Sequence, residues 1–273
     1  MKTVVVLVTD ENYFQKCKRT ILDLRSRGEW TGDVVLITID FNAPSNFLDF
    51  YKITQKRFNH IDCSKILEAY RKSPIRPTSD NREFLKLAQW NKFYVFDIYF
   101  SQWEKVIYLD SGLRIFDKIK YLDDLNCEGV LMAPDDSPAN DTSKRFGGII
   151  ETDRNPEVVR LLFQEYDPKI LNERYFLNCI WMYDTVLLKK VNFQELIDAM
   201  NNYPICRCNE MTIMNLIFNF KYKLWNSFPQ CIETEYGFKR LFGWTENDRD
   251  YRGETWQDFC FLKYPRTINF ECE

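Results

Sequence analysis

Carboxylates stand where four apolar runs end. Asp10 closes "VVVLVTD", Asp40 closes "DVVLITID", Asp110 closes "VIYLD", and Asp135 and Asp136 follow "GVLMAP". At a strand end an aspartate can cap the next turn, hold a hard cation such as Mg2+ or Mn2+, or accept hydrogen bonds from hydroxyls. Several at corresponding strand ends predict an acidic rim that binds a metal or hydroxyl groups. Asp110 is the sharpest case. Ser111 and Gly112 follow it, and the apolar run then resumes as Leu-Arg-Ile-Phe. One reading makes Asp110 a turn cap, with Gly112 supplying a positive φ. The other makes Asp110 a metal ligand beside a leaving diphosphate, with Ser111 and Gly112 lining the same turn.

These residues need elements that bring them together. "VVVLV" (4–8) reads as a fully buried strand. "NYFQKCKRTILDLRSRG" has helical spacing and ends at Gly28, a C′ glycine. "DVVLITID" (33–40) is a second buried strand, so the chain begins β–α–β and predicts a parallel sheet. "REFLKLAQWNKFYVFDIYFSQW" (82–103) has helical periodicity and leads into a strand over 105–109. Further strands are expected at 129–134 and ending near Asp184, with helices in "PEVVRLLFQEY" and "NEMTIMNLIFNF". "YKLWNS" reads as a last strand and the tail from Phe238 as irregular. "SPIRPTSD" (73–80) is a loop, and the polar stretch 135–148 is a candidate lid. The alternation means α/β, a mostly parallel mixed sheet with helices on both faces. Ligands of such sheets sit at the carboxyl ends of strands.

The 273 residues suffice for a sizeable core, and no linker divides them, so one domain over 1–273 is expected. Net charge is −3 with basic residues dispersed, so no nucleic-acid partner is expected. The opening apolar run is too short for a signal peptide, and no run is long enough for a membrane span. A soluble, cytoplasmic protein is expected. Nine cysteines without CxxC pairs read as free thiols. The single histidine, His60, reads as exposed and incidental.

Five segments carry a resemblance. "WNKFYVFDIYFSQW", a charged turn, an apolar strand and Asp110 resemble the segment ahead of the DxD motif of GT-A glycosyltransferases. The likeness is greatest to glycogenin-like, family 8 enzymes. "VVVLVTDENYFQKCKRTILDLR" looks like their first strand and nucleotide-binding turn. "YFLNCIWMYDTVLL" is similar to their "FNSGVMLFD" segment, "CNEMTIMNLIF" to a "DQDxLN" helix start, and "LWNSFPQ" to the strand and turn that follow. The matches lie in order over about the first 230 residues.

The resemblance implies a GT-A, Rossmann-like fold and a nucleotide-sugar donor, most naturally a UDP-sugar, with a glycan or protein acceptor. Thr9, Asp10 and Tyr13 match nucleoside-binding positions, with Tyr13 stacking on the base. Lys92 and Asp110 match positions serving the sugar nucleotide. Asn178 and Glu210 match positions that contact the donor sugar or acceptor and are the candidate catalytic residues; no base is assigned. Asn215 lies one turn inside the same helix. The implied cofactor is Mn2+ or Mg2+ on Asp110, and the implied chemistry retains anomeric configuration. Two departures stand out. DSG replaces DxD at Gly112, and "FCFLKYPRTI" replaces a late histidine segment, leaving Lys263 or Arg266 for the diphosphate. A metal-independent site, in which Lys92, Lys144, Arg145, Lys263 or Arg266 carries the charge role, stays open. So do a non-catalytic sugar-nucleotide binder of this fold and a phosphohydrolase with a nucleophilic aspartate.

Overall fold

The computed structural model describes residues 2–72, 87–136, 144–153, 155–244 and 256–263. The 73–80 loop, positions 137–143 of the polar stretch, and Arg266 lie outside the described residues. The first elements are β1 (Thr3–Asp10), α1 (Phe14–Ser26), β2 (Asp33–Ile39), α2 (Ser45–Tyr51), β3 (Thr54–Phe58) and α3 (Ser64–Lys72). Tight 3-10 turns over Leu87–Phe96 and Ile98–Gln102 lead to β4 (Lys105–Leu109), β5 (Arg114–Ile115), α4 (Lys120–Asp123) and β6 (Leu131–Ala133). Then come α5 (Pro156–Glu165), β7 (Ile180–Asp184), α6 (Phe193–Asn202), α7 (Glu210–Met214), β8 (Trp225–Ser227), β9 (Cys231–Thr234), β10 (Gly237–Trp244) and β11 (Phe259–Lys263).

Seven strands form one sheet in the order β3-β2-β1-β4-β7-β6-β8. β7 runs antiparallel to both β4 and β6, and the remaining pairs are parallel. Both faces of this sheet are covered. Val4, Val6, Val35 and Ile37 face one core, and Val5, Leu7, Val34 and Leu36 face the other. That is why the strands read as unbroken apolar runs rather than alternating ones. α1 packs Phe14, Cys17, Ile21 and Leu24 on one face, and Ile66 and Tyr70 of α3 pack on the other.

Three expectations need correction. The 87–102 stretch forms 3-10 turns rather than an α-helix. Its large side chains Trp90, Phe93 and Phe96 recur every third residue and are all fully buried, which suits three residues per turn. β8 is not the last strand. The tail read as irregular supplies β10 and β11, which join a second sheet ordered β5-β11-β10-β9. β11 lies parallel to β10 and antiparallel to β5, so the late strand is pinned beside the chain that leaves the Asp110 turn. Gly28 does follow α1 at C′, and for a steric reason: a Cβ there would lie 2.6 Å from the Leu24 carbonyl oxygen.

Candidate functional site

The site grows from the strand order. The chain lays down β1, β2 and β3 in one direction, then returns to place β4 on the other flank of β1. Such a reversal opens a crevice beyond the carboxyl ends of the two strands. Here the crevice lies between the β1–α1 turn and the turn after β4. The Ser111 hydroxyl donates to the Val8 carbonyl (2.9 Å) and ties the two strand ends together.

The Asp110–Leu113 turn is closed by the Leu113 N–H on the Asp110 carbonyl (3.0 Å). Gly112 is its third residue, with φ +86°, the conformation a type II turn requires there. A Cβ at Gly112 would meet only the Lys16 side chain, at an ordinary 3.7 Å. The glycine therefore serves the backbone, not a crowded space. α1 holds the turn: the Gly112 N–H donates to Thr20 Oγ1 (3.0 Å), and that hydroxyl donates to the Leu113 carbonyl (2.9 Å).

Asp110 is surrounded by donors. Lys263 Nζ lies 2.6 Å from Oδ2, and the Tyr108 hydroxyl donates to Oδ1 at 3.0 Å. Lys92 Nζ stands 3.5 Å from Oδ1 and 2.8 Å from Glu210 Oε1. Burial alone would raise the Asp110 pKa; Lys263 and Lys92 outweigh it and bring the carboxyl down to about 2. Burial would likewise discharge Lys92, yet Asp110 and Glu210 raise its pKa, so it stays charged. Tyr108 stays a neutral donor, its pKa raised by burial and by Asp110. Lys263 also donates to the Ser111 carbonyl (3.0 Å), which places its ammonium over the turn.

The structure brings Asn178 and Glu210, taken from two separate segments of the sequence, into contact. Asn178 Nδ2 donates to Glu210 Oε1 (2.9 Å), so one carboxylate oxygen takes both Asn178 and Lys92. Glu210 Oε2 is buried and has no hydrogen-bond partner. Asn209 sets Glu210 in place. It is fully buried, and its φ of +47° with ψ −129° is a region few residues other than glycine enter.

In the β1–α1 turn, Asp10 Oδ1 accepts from the Tyr13 N–H (2.8 Å) and so caps the entry to α1. The Thr9 hydroxyl is spent on the Asp10 carbonyl. Tyr13 is 41% exposed, and Lys16 Nζ lies 5.1 Å from its ring centre.

Other expected residues do not join. Asp40 and Asp136 end β2 and β6 at the same edge of the sheet, but Asp40 accepts from the His60 N–H and Asp136 pairs with Lys144. The rim is several separate carboxylates rather than one ligand cluster. Arg145 donates to the Lys144 carbonyl. Asn215 clamps backbone: Oδ1 accepts from the Phe176 N–H, and Nδ2 donates to the Phe176 and Met211 carbonyls. His60 is not incidental. Its Nδ1 lies 3.0 Å from Asn91 Nδ2, and Asn91 Oδ1 accepts from the Ile61 N–H, which anchors the segment carrying Lys92. Sequence reasoning passed over Lys16, Tyr108 and Asn209. Lys16 could have been found, since it lies three residues beyond Tyr13 on the first turn of α1. Asn209 gave no signal, because its backbone angle is invisible in the sequence.

A divalent cation needs several hard oxygen donors held together. Among the described residues no three His, Cys, Asp or Glu side chains converge to hold one. Both oxygens of Asp110 already accept from cations or a phenol, and a metal there would displace Lys263 and stand beside two ammonium groups. These residues do not fit a protein-held divalent ion.

No protein-family model matches the chain, and no curated protein sequence matches it. Solved structures do. The galactosyltransferase LgtC, in complex with donor and acceptor sugar analogs, superposes with a TM-score of 0.58 at 12% identity, over 96% of this chain and 86% of that one. The bifunctional glycosyltransferase WbbM gives 0.59 at 12% identity, over 96% of this chain and 45% of its own. The glycosyltransferase GlyE of Streptococcus pneumoniae TIGR4 gives 0.51 at 14%, over 84% and 46%. The chain thus spans most of LgtC but less than half the length of the other two. Among the described residues no helix is long and apolar enough to cross a membrane. With its mixed sheet, its reversal at β1–β4 and these likenesses, the chain has the fold of GT-A glycosyltransferases.

Proposed function

We propose that the chain is a glycosyltransferase of family 8 type, one GT-A unit over 1–273, that moves a sugar from a UDP-sugar to an acceptor hydroxyl of a glycan or protein with retention. The observation that carries the reading is the Lys92–Asp110–Glu210–Asn178 cluster at the β1–β4 crevice, bound together at 2.8–3.5 Å. Tyr13, exposed at the mouth of the crevice, supplies a face for the base, and Asp10 holds its turn. Lys263 and the Ser111–Gly112 turn meet the diphosphate, where fixed positive charge stabilises the leaving group. Asn178 and Glu210 orient the sugar: Glu210 Oε2 has an unmet acceptor, and a sugar hydroxyl would fill it.

The test is to incubate the protein with a panel of UDP-sugars and oligosaccharide or peptide acceptors and to follow UDP release and product mass. Transfer from one donor supports the reading. Failure to bind UDP or any UDP-sugar overturns it. UDP-sugar binding without release or transfer favours a second reading, a sugar-nucleotide binder. That alternative draws on Gly112, which leaves Asp110 without the second DxD carboxylate.

A further inference from the structure

We propose that the diphosphate subsite of this protein works without a divalent cation, its charge supplied by Lys263 and Lys16, which both lie beside the Asp110–Gly112 turn. The inference rests on the nucleotide-sugar reading above and specifies how that site meets its ligand.

Three observations converge. First, the position that would carry a second metal-binding carboxylate is committed to a backbone conformation. Gly112 sits at φ +86° in a turn fastened to Thr20, so the position is set by turn geometry, and an aspartate there would meet the cost of a positive φ, though less than most side chains. Second, the one carboxylate left has its oxygens taken. Lys263 Nζ lies 2.6 Å from Asp110 Oδ2 and 3.0 Å from the Ser111 carbonyl, so an ammonium group already occupies the place over the turn. The depressed Asp110 carboxyl keeps that pair charged through the neutral range. Third, Lys16 stands against Gly112 of the same turn. Its side-chain carbons lie 3.7 Å from the point where a Gly112 Cβ would project, and its ammonium is poised over the exposed Tyr13 ring. Lys16 is solvent-exposed, so its head group is free to turn toward a ligand.

The chemistry follows. A diphosphate carries its charge on non-bridging oxygens that a metal ordinarily gathers. Two ammonium groups beside a turn can do the same by charge-assisted hydrogen bonds. Lys92 plays a different part. It is buried between Asp110 and Glu210 and holds those carboxylates, so it is a positioning residue.

The experiment is isothermal titration of UDP into the intact protein, once in EDTA and once in MnCl2. Dissociation constants within about threefold of each other are expected, since no bridging ion is needed. UDP binding that appears only with Mn2+ overturns this inference and leaves the glycosyltransferase reading standing. No UDP binding in either buffer overturns the reading and this inference with it. Lys16→Gln and Lys263→Gln should each weaken UDP in EDTA by roughly tenfold to a hundredfold, the loss of one charge-assisted bond. Uridine, which lacks phosphates, should bind these variants and wild type alike. Lys16→Gln alters an exposed side chain, so a folded variant with unchanged UDP affinity removes Lys16 from the subsite.

Discussion

Lys263 Nζ and Asp110 Oδ2 lie 2.6 Å apart although 153 residues separate them in the chain. The pair joins the last described strand to the end of β4 and closes the crevice over the Ser111–Gly112 turn. Its energetics set the first expectation. A carboxyl held at about 2, against an ordinary 3.8, favours the folded state above the ordinary value and loses that advantage as pH falls toward 2. The pH-dependent part amounts to about 2 kcal/mol. Urea unfolding of wild type and Asp110→Asn between pH 2 and 7 should show a gap that is full above pH 5 and closes on the acid side. A gap independent of pH would remove Asp110 from this linkage.

Lys92 neutralises two carboxylates, so its loss should cost more than the loss of one partner. Lys92→Met should lower stability by about 3 kcal/mol, because it strands the buried Glu210 carboxylate. Adding Glu210→Gln should recover part of that loss. A double-mutant cycle from thermal melts reads the coupling, and additivity of the two changes would contradict the shared ion pair.

Gly112→Ala tests backbone against space. The added methyl meets nothing closer than 3.7 Å, so the expected loss of about 1–2 kcal/mol comes from the positive φ alone. Gly112→Asn should cost less, since asparagine tolerates that region better. Equal losses for the two would point to contacts rather than to φ.

Tyr13→Ala should leave the melting temperature within a degree or so of wild type, because the ring is exposed and surface changes of this kind seldom matter to stability. Uridine affinity should fall by 1–3 kcal/mol, about the worth of one stacked base. An unchanged uridine affinity would place the base elsewhere.

The thiols near the site should be inert. Burial pushes Cys17 and Cys179 up to about 12, and both are buried beside the turn region. Cys231 is exposed. Iodoacetamide at pH 8 should therefore label Cys231 first among the described cysteines and reach Cys17 and Cys179 only on unfolding, as mass spectrometry of peptides will show.

The sequence made the central strands legible because buried parallel strands are nearly continuous in Val, Ile and Leu. Asp110 and Asn178 were readable for a related reason: a polar residue embedded in or ending an apolar run must find partners, and Lys92 and Glu210 supply them. Glu210 stood out only through the resemblance of its helix start. β10 escaped notice because its side chains are mostly half-exposed and Lys239 and Arg240 break the apolar pattern. Lys263 could be named from the chain but not joined to Asp110, because that contact depends on β11 docking between β10 and β5. The tripeptide at 110–112 looked like a motif with one acid missing. Its φ shows that the third position is set by turn geometry.

The docking of β11 also fixes when the site comes into being. During synthesis β1 through β8 can assemble while Asp110 has Lys92 and Tyr108 for company and β5 still lacks a strand partner. Lys263 leaves the ribosome after all the other described residues, and its arrival both pairs β5 with β11 and sets an ammonium beside Asp110. A nascent chain thus lacks the Lys263–Asp110 pair until β11 docks, so closure of this turn and completion of the second sheet become a single event.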